Sequence, residues 1–390
     1  MQFLADYLEQ VKAKNLYRQI VTYNPVSPAR VQMGGQTYLM MASNNYLGLT
    51  HNPAVQQAAV DAIWLYGTGA GGARLTTGTF PLFEQLEQEL ATFKETEAAL
   101  VFNTGYMANV GVISALAGPD DVIFSDELNH ASIIDGCRLS RAQVAVYRHT
   151  DMEHLQGLLK DTACQGKRLI ITDGVFSMDG DIAPLDTIAE LAERYNAIII
   201  VDDAHATGVI GPGGKGTAAH FGVKDRVQVQ IGTLSKALGA EGGFVAGSWE
   251  LIDYIKNKAR SFIFSTALAP GAIAAALAAL RELSSRPELV TKLNENAQHV
   301  RNLLKAGNMP VLDGITPIIP VMVEEADEAV WMTSELKKQG IIITAIRPPT
   351  VPVGTSRLRL TVTAAHERDE LDAAVDAINM VVKQFRRTVR

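Results

Sequence analysis

Ala197-Ile-Ile-Ile-Val-Asp202-Asp203-Ala-His205 is the stretch that decides the fold. An unbroken apolar run of strand length that stops at an acid reads as a strand covered on both faces, the habit of parallel sheets. Upstream, Pro184 to Tyr195 spaces its apolar residues three and four apart, as a helix does. Further out, Ala98 to Phe102, Asp121 to Phe124, Arg168 to Thr172 and Val227 to Ile231 repeat the strand pattern, with helical stretches between them. This alternation predicts an α/β domain whose mostly parallel sheet is flanked by helices.

Past an Ala-rich helix at 268–282 the scheme recurs on a smaller scale. Strand Ile315 to Val323 leads to helix Glu325 to Gln339, stopped by Gly340, then strands Ile341 to Ile346 and Arg357 to Val362 and a closing helix. A chain of 390 residues exceeds what one hydrophobic core organises. The expectation is an N-terminal arm over 1–44, a large domain over 45–275 and a smaller C-terminal α/β domain over 276–390.

Bulk composition narrows the class of function. Acids outnumber bases 42 to 35, for a net charge of -7, and no basic block is present. That leaves no electrostatic footprint for nucleic acid or an anionic membrane, and favours a small-molecule partner. Leu268 to Leu280, the most apolar run, contains Pro270 and Gly271 and falls short of the ~20 residues that cross a bilayer. Met1 to Leu16 carries Asp6 and Glu9 and has no signal-peptide core, so a cytoplasmic location is expected. Cys137 and Cys164 have neither CxxC spacing nor a His cluster nearby, which predicts reduced thiols and no metal site.

Two glycine-rich stretches are decoys. Gly67-Thr-Gly69-Ala-Gly-Gly72 matches the dinucleotide pattern GxGxxG, but Ala54 to Tyr66 before it reads as a helix where that fingerprint needs a strand. Gly211-Pro-Gly-Gly-Lys-Gly216 lacks P-loop spacing and its Ser or Thr, and is expected to be a flexible loop.

Ligands of open α/β sheets sit beyond the carboxyl ends of the strands. After 98–102 comes Asn103-Thr104-Gly105-Tyr106, where a helix start offers free N–H groups to a phosphate, although such a glycine also makes an ordinary turn. Strand 197–202 delivers Asp202 and His205 together, fit for a cationic ligand nitrogen, a helix cap, a salt bridge or a metal pair. Strand 227–231 leads to Gly232-Thr233-Leu-Ser-Lys236, whose lysine is either a solvated surface group or a desolvated nucleophile for an aldehyde. In this order the three describe a site for pyridoxal 5′-phosphate (PLP): phosphate on Gly105 and Tyr106, pyridine nitrogen on Asp202, phenolic oxygen near His205, and aldehyde on Lys236.

The sequence also resembles the α-oxoamine synthases, fold-type I PLP enzymes that condense amino acids with acyl thioesters. The resemblance rests on Ser43-Asn-Asn-Tyr-Leu-Gly-Leu49, Gly67 to Gly78, Asn129-His130-Ala-Ser132, Asp173-Gly-Val-Phe-Ser177-Met-Asp-Gly180, Asp202-Asp-Ala-His205 and Thr233-Leu-Ser-Lys236. It implies that His130 stacks on the cofactor ring, that Ser177 and His205 address its phenolic oxygen, and that Thr233 helps hold the phosphate. Thr104 stands where the family places Ser or Cys and keeps the hydroxyl. A homodimer is implied, with Ser265 and Thr266 reaching the partner subunit's phosphate.

Thr344-Ala-Ile-Arg347-Pro-Pro-Thr350-Val-Pro-Val-Gly-Thr-Ser-Arg-Leu-Arg359 is similar to the family's biotin-pathway branch, which joins L-alanine to a pimeloyl thioester. By that likeness Arg347 holds a carboxylate, while Arg18 and Thr350 contact substrate. The acyl group arrives as pimeloyl-CoA or on a carrier protein. A glycine acyltransferase is the nearest alternative, since one methyl group is worth only ~1–3 kcal/mol of discrimination. A PLP aminotransferase or lyase is the more distant one. His51, His149, His154, His220, His299 and His366 receive no role.

Overall fold

Residues 24–40 hold three strands that the sequence pattern does not announce: β1 (Asn24–Ser27), β2 (Arg30–Met33) and β3 (Gln36–Met40), paired as an antiparallel meander. Gly34 and Gly35 supply φ of 59° and 82° at the tight turn between β2 and β3, a region that side chains with a Cβ avoid. The computed structural model describes residues 1–13 and 17–388.

The large sheet comprises β4 (Ala98–Phe102), β5 (Val122–Asp126), β6 (Gln143–Tyr147), β7 (Arg168–Asp173), β8 (Ala197–Asp202), β9 (Val229–Thr233) and β10 (Gly243–Gly247), in the order β4-β10-β9-β8-β7-β5-β6. Each of the runs expected from the sequence is a strand here. Only β10 runs against its neighbours, β4 and β9, so the carboxyl ends of all the other strands lie along one edge. Ile199, Ile200 and Val201 are fully buried in β8, and burying each such side chain stabilises by about 1.5–3 kcal/mol.

β11 (Ile318–Glu324), β12 (Ile341–Ile342), β13 (Thr344–Ile346) and β14 (Ser356–Thr361) belong to the C-terminal part. Here one expectation is corrected: Ile341 to Ile346 is not a single strand. Its first two residues pair in parallel with β3, and Thr344–Ile346 pairs with β14. The run is apolar on both sides of the switch, so hydrophobicity alone could not show a change of partner.

Residue 275, the expected boundary, lies within the helix Pro270–Ser285, whose buried side chains through Leu283 share a core with Leu86, Leu90 and Phe244. The following helix, Glu288–Ala306, places Leu293 in that core and Val300 and Leu304 in the C-terminal one, so it joins the two. Leu39 and Met41 also pack into the C-terminal core, against an expected arm that would end at 44. His366 fastens this contact. Its Nδ1 accepts from the Thr363 amide at 3.0 Å, which leaves the proton on Nε2 to donate to the Met40 carbonyl at 3.2 Å. Burial pushes this imidazole down to about 4.

The stretch from 53 to 66 is helical, as the reading of Gly67–Gly72 requires. The loop at 211–216, expected to be flexible, is instead tied down. Gly208 donates to the Gly214 carbonyl at 2.7 Å, Gly216 to the Ile210 carbonyl at 2.9 Å, and the Lys94 ammonium to the Lys215 carbonyl at 2.6 Å. Lys94 also pairs with Asp203 at 2.8 Å, both side chains fully buried. Cys137 and Cys164 are free thiols. Among the described residues no helix is long and apolar enough to cross a membrane, and no cluster of His, Cys, Asp and Glu is suited to a metal.

Candidate active site

The carboxyl edge of the sheet opens on a cavity of about 190 Å³. It draws together most of the residues singled out from sequence: Thr104, Gly105 and Tyr106 after β4, His130 after β5, and Ser177 after β7. Asp202 and His205 from β8 and Thr233 and Lys236 from β9 complete that set.

Gly105 opens the helix Gly105–Leu116, and Thr104 caps it by accepting from the Met107 amide at 3.1 Å. The first amides of a helix have no partner within it, so those of Gly105 and Tyr106 remain available to an anion. Thr233 Oγ1 lies 2.8 Å from Ser235 Oγ and donates to the Gly242 carbonyl, closing the wall beside that helix end.

Asp202 and Asp173 are register partners on adjacent strands, β8 and β7. Asp202 Oδ1 accepts from the Ala204 amide at 2.8 Å, and Oδ2 from Asn109 Nδ2 at 2.6 Å. Asp173 accepts from the His130 amide at 2.7 Å. Burial, reinforced by the Asp202 carboxylate, pushes the Asp173 carboxyl well above the usual range.

Asn109 also donates to Ser132 Oγ at 2.9 Å, and that oxygen stands 2.7 Å from His130 Nδ1. The Ser132 amide points at the same nitrogen from 3.3 Å, so Nδ1 accepts and the His130 proton resides on Nε2. Partial burial and the Lys236 charge lower the His130 pKa, with Asp202 opposing.

Lys236 has no hydrogen-bonding or ion-paired partner for its amine among the described residues. Burial lowers its pKa against the pull of Asp202 and Asp173, with Arg359 adding to the depression. An unpartnered amine whose pKa burial lowers, facing a carboxylate with a helix start alongside, is what a pyridine carbaldehyde phosphate requires. The residues present therefore fit PLP.

His149 braces two of the contributing loops. Nδ1 pairs with Asp126 at the end of β5 (3.0 Å), Nε2 with Asp181 in the loop after β7 (2.7 Å), and the ring abuts Phe176 at 4.4 Å. Burial opposes its charge, yet the bonds to Asp126 and Asp181 raise it to about 10. A raised folded pKa contributes stability that is complete below the unfolded value near 6.5 and disappears as pH climbs through the folded one. The melting temperature of the wild type should exceed that of His149→Gln at pH 7, and the gap should close by about pH 10, as a thermal melt series would record.

Sequence reasoning missed several residues here. Asn109 and Ser132 hold Asp202 and His130, and Tyr46 Oη sits 2.6 Å from His205 Nδ1. Arg359, 5% exposed, donates to the Ser177 carbonyl (2.5 Å), Asn44 Oδ1 (3.1 Å) and Thr361 Oγ1 (3.0 Å), with no carboxylate partner among the described residues. Ser132, Tyr46 and Asn44 lie inside blocks already legible as motifs, which was the available signal.

Other expected residues lie outside this cavity. Arg18, Arg347 and Thr350 line a separate space of about 540 Å³ together with Tyr7, Leu8 and Tyr17. Ser265 and Thr266 do not line the chain's own cavity; the Thr266 carbonyl accepts from Asn103 Nδ2 at 2.6 Å.

Comparison with known proteins agrees with this geometry. The profile of the family Aminotransferase class I and II matches residues 36–378. An 8-amino-7-oxononanoate synthase of Lysinibacillus sphaericus is 49% identical over 97% of both chains, and one of Geobacter sulfurreducens 47% identical over 98% of both. Among solved structures, a serine palmitoyltransferase of S. paucimobilis with PLP and myriocin bound superposes with a TM-score of 0.93 at 31% identity, covering 98% of this chain and 97% of that one. An 8-amino-7-oxononanoate synthase from Francisella tularensis gives 0.77 at 29% identity, covering 89% of this chain and 98% of that one. With a PLP-shaped constellation at the sheet edge and full-length identity of this order, the chain belongs to the α-oxoamine synthases, among the 8-amino-7-oxononanoate synthases.

Proposed function

We propose that the cavity holds PLP on Lys236 and that the chain joins L-alanine to a pimeloyl thioester, giving 8-amino-7-oxononanoate, carbon dioxide and the free thiol of coenzyme A or a carrier protein. The observation that carries this reading is the partnerless Lys236 amine facing Asp202, in a chain 49% identical to a synthase of that name. Bound there, PLP supplies an aldehyde that condenses with amines and a ring that draws electrons from the carbon beside the nitrogen.

Each wall of the cavity has a task. Asp202, aimed by Asn109 and the Ala204 amide, holds the ring nitrogen, and His130 stacks on the ring. Ser177 and His205 face the phenolic oxygen, while Thr104, the Gly105 and Tyr106 amides and Thr233 hold the phosphate. Ser265 and Thr266, which do not line their own cavity, serve the partner's phosphate in a cytoplasmic homodimer. With alanine held in the cavity, the Lys236 amine would take the proton from its α-carbon and later return one to that carbon. A bond forms from that carbon to the acyl carbonyl carbon, the thioester C–S bond breaks, and the alanine carboxylate leaves as carbon dioxide.

Substrate carboxylates have two cationic places. Arg347, with Arg18 and Thr350, lines the outer space and suits the distal carboxylate of the pimeloyl chain, a planar fork meeting a planar acceptor. Arg359 is buried without an acid beside the site, which suits the carboxylate of the amino acid.

Glycine or serine as the amino acid is the second reading, favoured by the 0.93 superposition on a serine palmitoyltransferase. Release of free thiol decides between them, measured with alanine, glycine and serine against pimeloyl, acetyl, succinyl and palmitoyl thioesters. Alanine with pimeloyl thioester should lead in kcat/KM by at least about 10-fold, the scale of one methyl group in a fitted pocket. A higher value for another pair, or keto-acid formation without thioester, would reject the proposal.

A further inference from the structure

We propose that Tyr46 is a positioning residue of this site: its hydroxyl donates to Nδ1 of His205 and so holds that imidazole as the tautomer presenting Nε2–H to the cavity. The inference rests on the reading of the cavity as a PLP site.

Tyr46 is fully buried, and its oxygen lies 2.6 Å from His205 Nδ1 and 3.4 Å from Asn44 Oδ1. A hydroxyl donates once, and the shorter, better contact takes the proton. Asn44 Oδ1 accepts from Arg359 Nη2 at 3.1 Å, so it keeps a donor when the hydroxyl turns to His205. Burial raises the Tyr46 phenol to about 12, against the influence of Arg359, so the proton is present to be donated at any working pH.

His205 must then be neutral for Nδ1 to accept. The groups around it enforce that. Burial comes first, and the neighbouring basic groups, Lys236 and Arg359 above all, add to the same direction, which takes its pKa well below the ordinary value. A neutral imidazole carries one N–H, and with Nδ1 accepting it sits on Nε2. Nε2 has no partner among the described residues, while the residue lines the cavity. Without the tyrosine hydroxyl nothing selects this tautomer, and the other one would turn a lone pair toward the anionic phenolic oxygen.

An N–H donated to that oxygen stabilises its negative charge and weakens proton binding on the nitrogen beside it. The holoenzyme of Tyr46→Phe should therefore show its visible absorption band changing at a pH about one unit higher than wild type. Its apoprotein should bind PLP about tenfold or more weakly, the fold-change of one hydrogen bond to a charged acceptor. Thermal melting of the apoprotein establishes whether the variant folds. An unchanged spectral midpoint with unchanged affinity overturns the inference, since a purely packing role would leave both alone.

Should Tyr46→Phe not fold, wild-type apoprotein labelled with ¹⁵N-histidine gives the answer directly. The His205 resonances, identified by their loss in His205→Asn, should show the proton on Nε2; a proton on Nδ1 overturns the inference. Failure of wild-type protein to develop any visible band with PLP is a different outcome. It removes the cofactor reading itself.

Discussion

Lys236→Ala should develop no visible band with PLP and lose at least about 10³-fold in turnover, while its apoprotein melts no lower than wild type. The two halves of this expectation have one cause. Lys236 is the proposed site of covalent attachment and of proton transfer at the α-carbon, so removing it takes away both functions together. The same amine sits in the fold with its pKa depressed by burial and with no hydrogen-bonding partner among the described residues. Desolvating an unsatisfied amine costs stability, so a methyl group in its place removes a penalty and leaves a space that belongs to the cavity. A structural lysine would behave the other way, melting lower with little loss of turnover. Thiol release and thermal melting on one preparation separate the two. Turnover within tenfold of wild type would sink the assignment.

The sheet and its working edge were legible because they depend on local pattern. Ala197–Asp202 is apolar for reasons of burial on both faces, and the acid that ends it marks where the strand leaves the interior. Elements that depend on partners were not legible. β10 is five residues bounded by Gly243 and Gly247, too short and glycine-framed to stand out before β4 and β9 close on both sides of it. β6 is an edge strand with most of its residues exposed or half-exposed, and its short apolar run, Val144 to Tyr147, is a signal the sequence reading passed over. The split of 341–346 between two sheets is decided by β3 and β14, more than three hundred residues apart in sequence.

The candidate site divides in the same way. Groups that emerge at strand ends, such as Asp202, His205 and Lys236, follow from topology. Groups that aim them come from elsewhere: Asn109 from a helix turn, Tyr46 from the segment before the large sheet, Arg359 from β14. Sequence order says nothing about which side chain will donate to which, because the pairing is set by the packing of remote elements. His149 and His366, which the sequence left without a role, are spent on the same kind of work: one ties two active-site loops, the other ties β3 to the C-terminal core.

The largest loss of stability should follow from Lys94→Met, at about 3–5 kcal/mol. Lys94 and Asp203 form an ion pair with both side chains fully shielded from solvent. The pair is well satisfied: the ammonium also donates to the Lys215 carbonyl, and Asp203 also accepts from the Thr217 amide and hydroxyl, the latter at 2.6 Å. Space around it is tight, since a Cβ on Gly216 would lie 2.0 Å from Asp203 Oδ2 and 2.7 Å from Lys94 Nζ. With both side chains at 0% exposure, rehydrating a lone carboxylate requires this loop to move. Removing the cation therefore leaves a charge whose desolvation is opposed only by Thr217. Replacing both partners, as in Lys94→Met with Asp203→Leu, should return much of the loss, because it is the unpaired charge and not the missing attraction that destabilises. Urea unfolding with an unchanged m-value provides the measure. Because Asp203 follows Asp202 directly, the single variant should also bind PLP more weakly than the double one. A single variant within about 1 kcal/mol of wild type would mean that the carboxylate finds water, and that the 211–216 loop opens more readily than its hydrogen bonds imply.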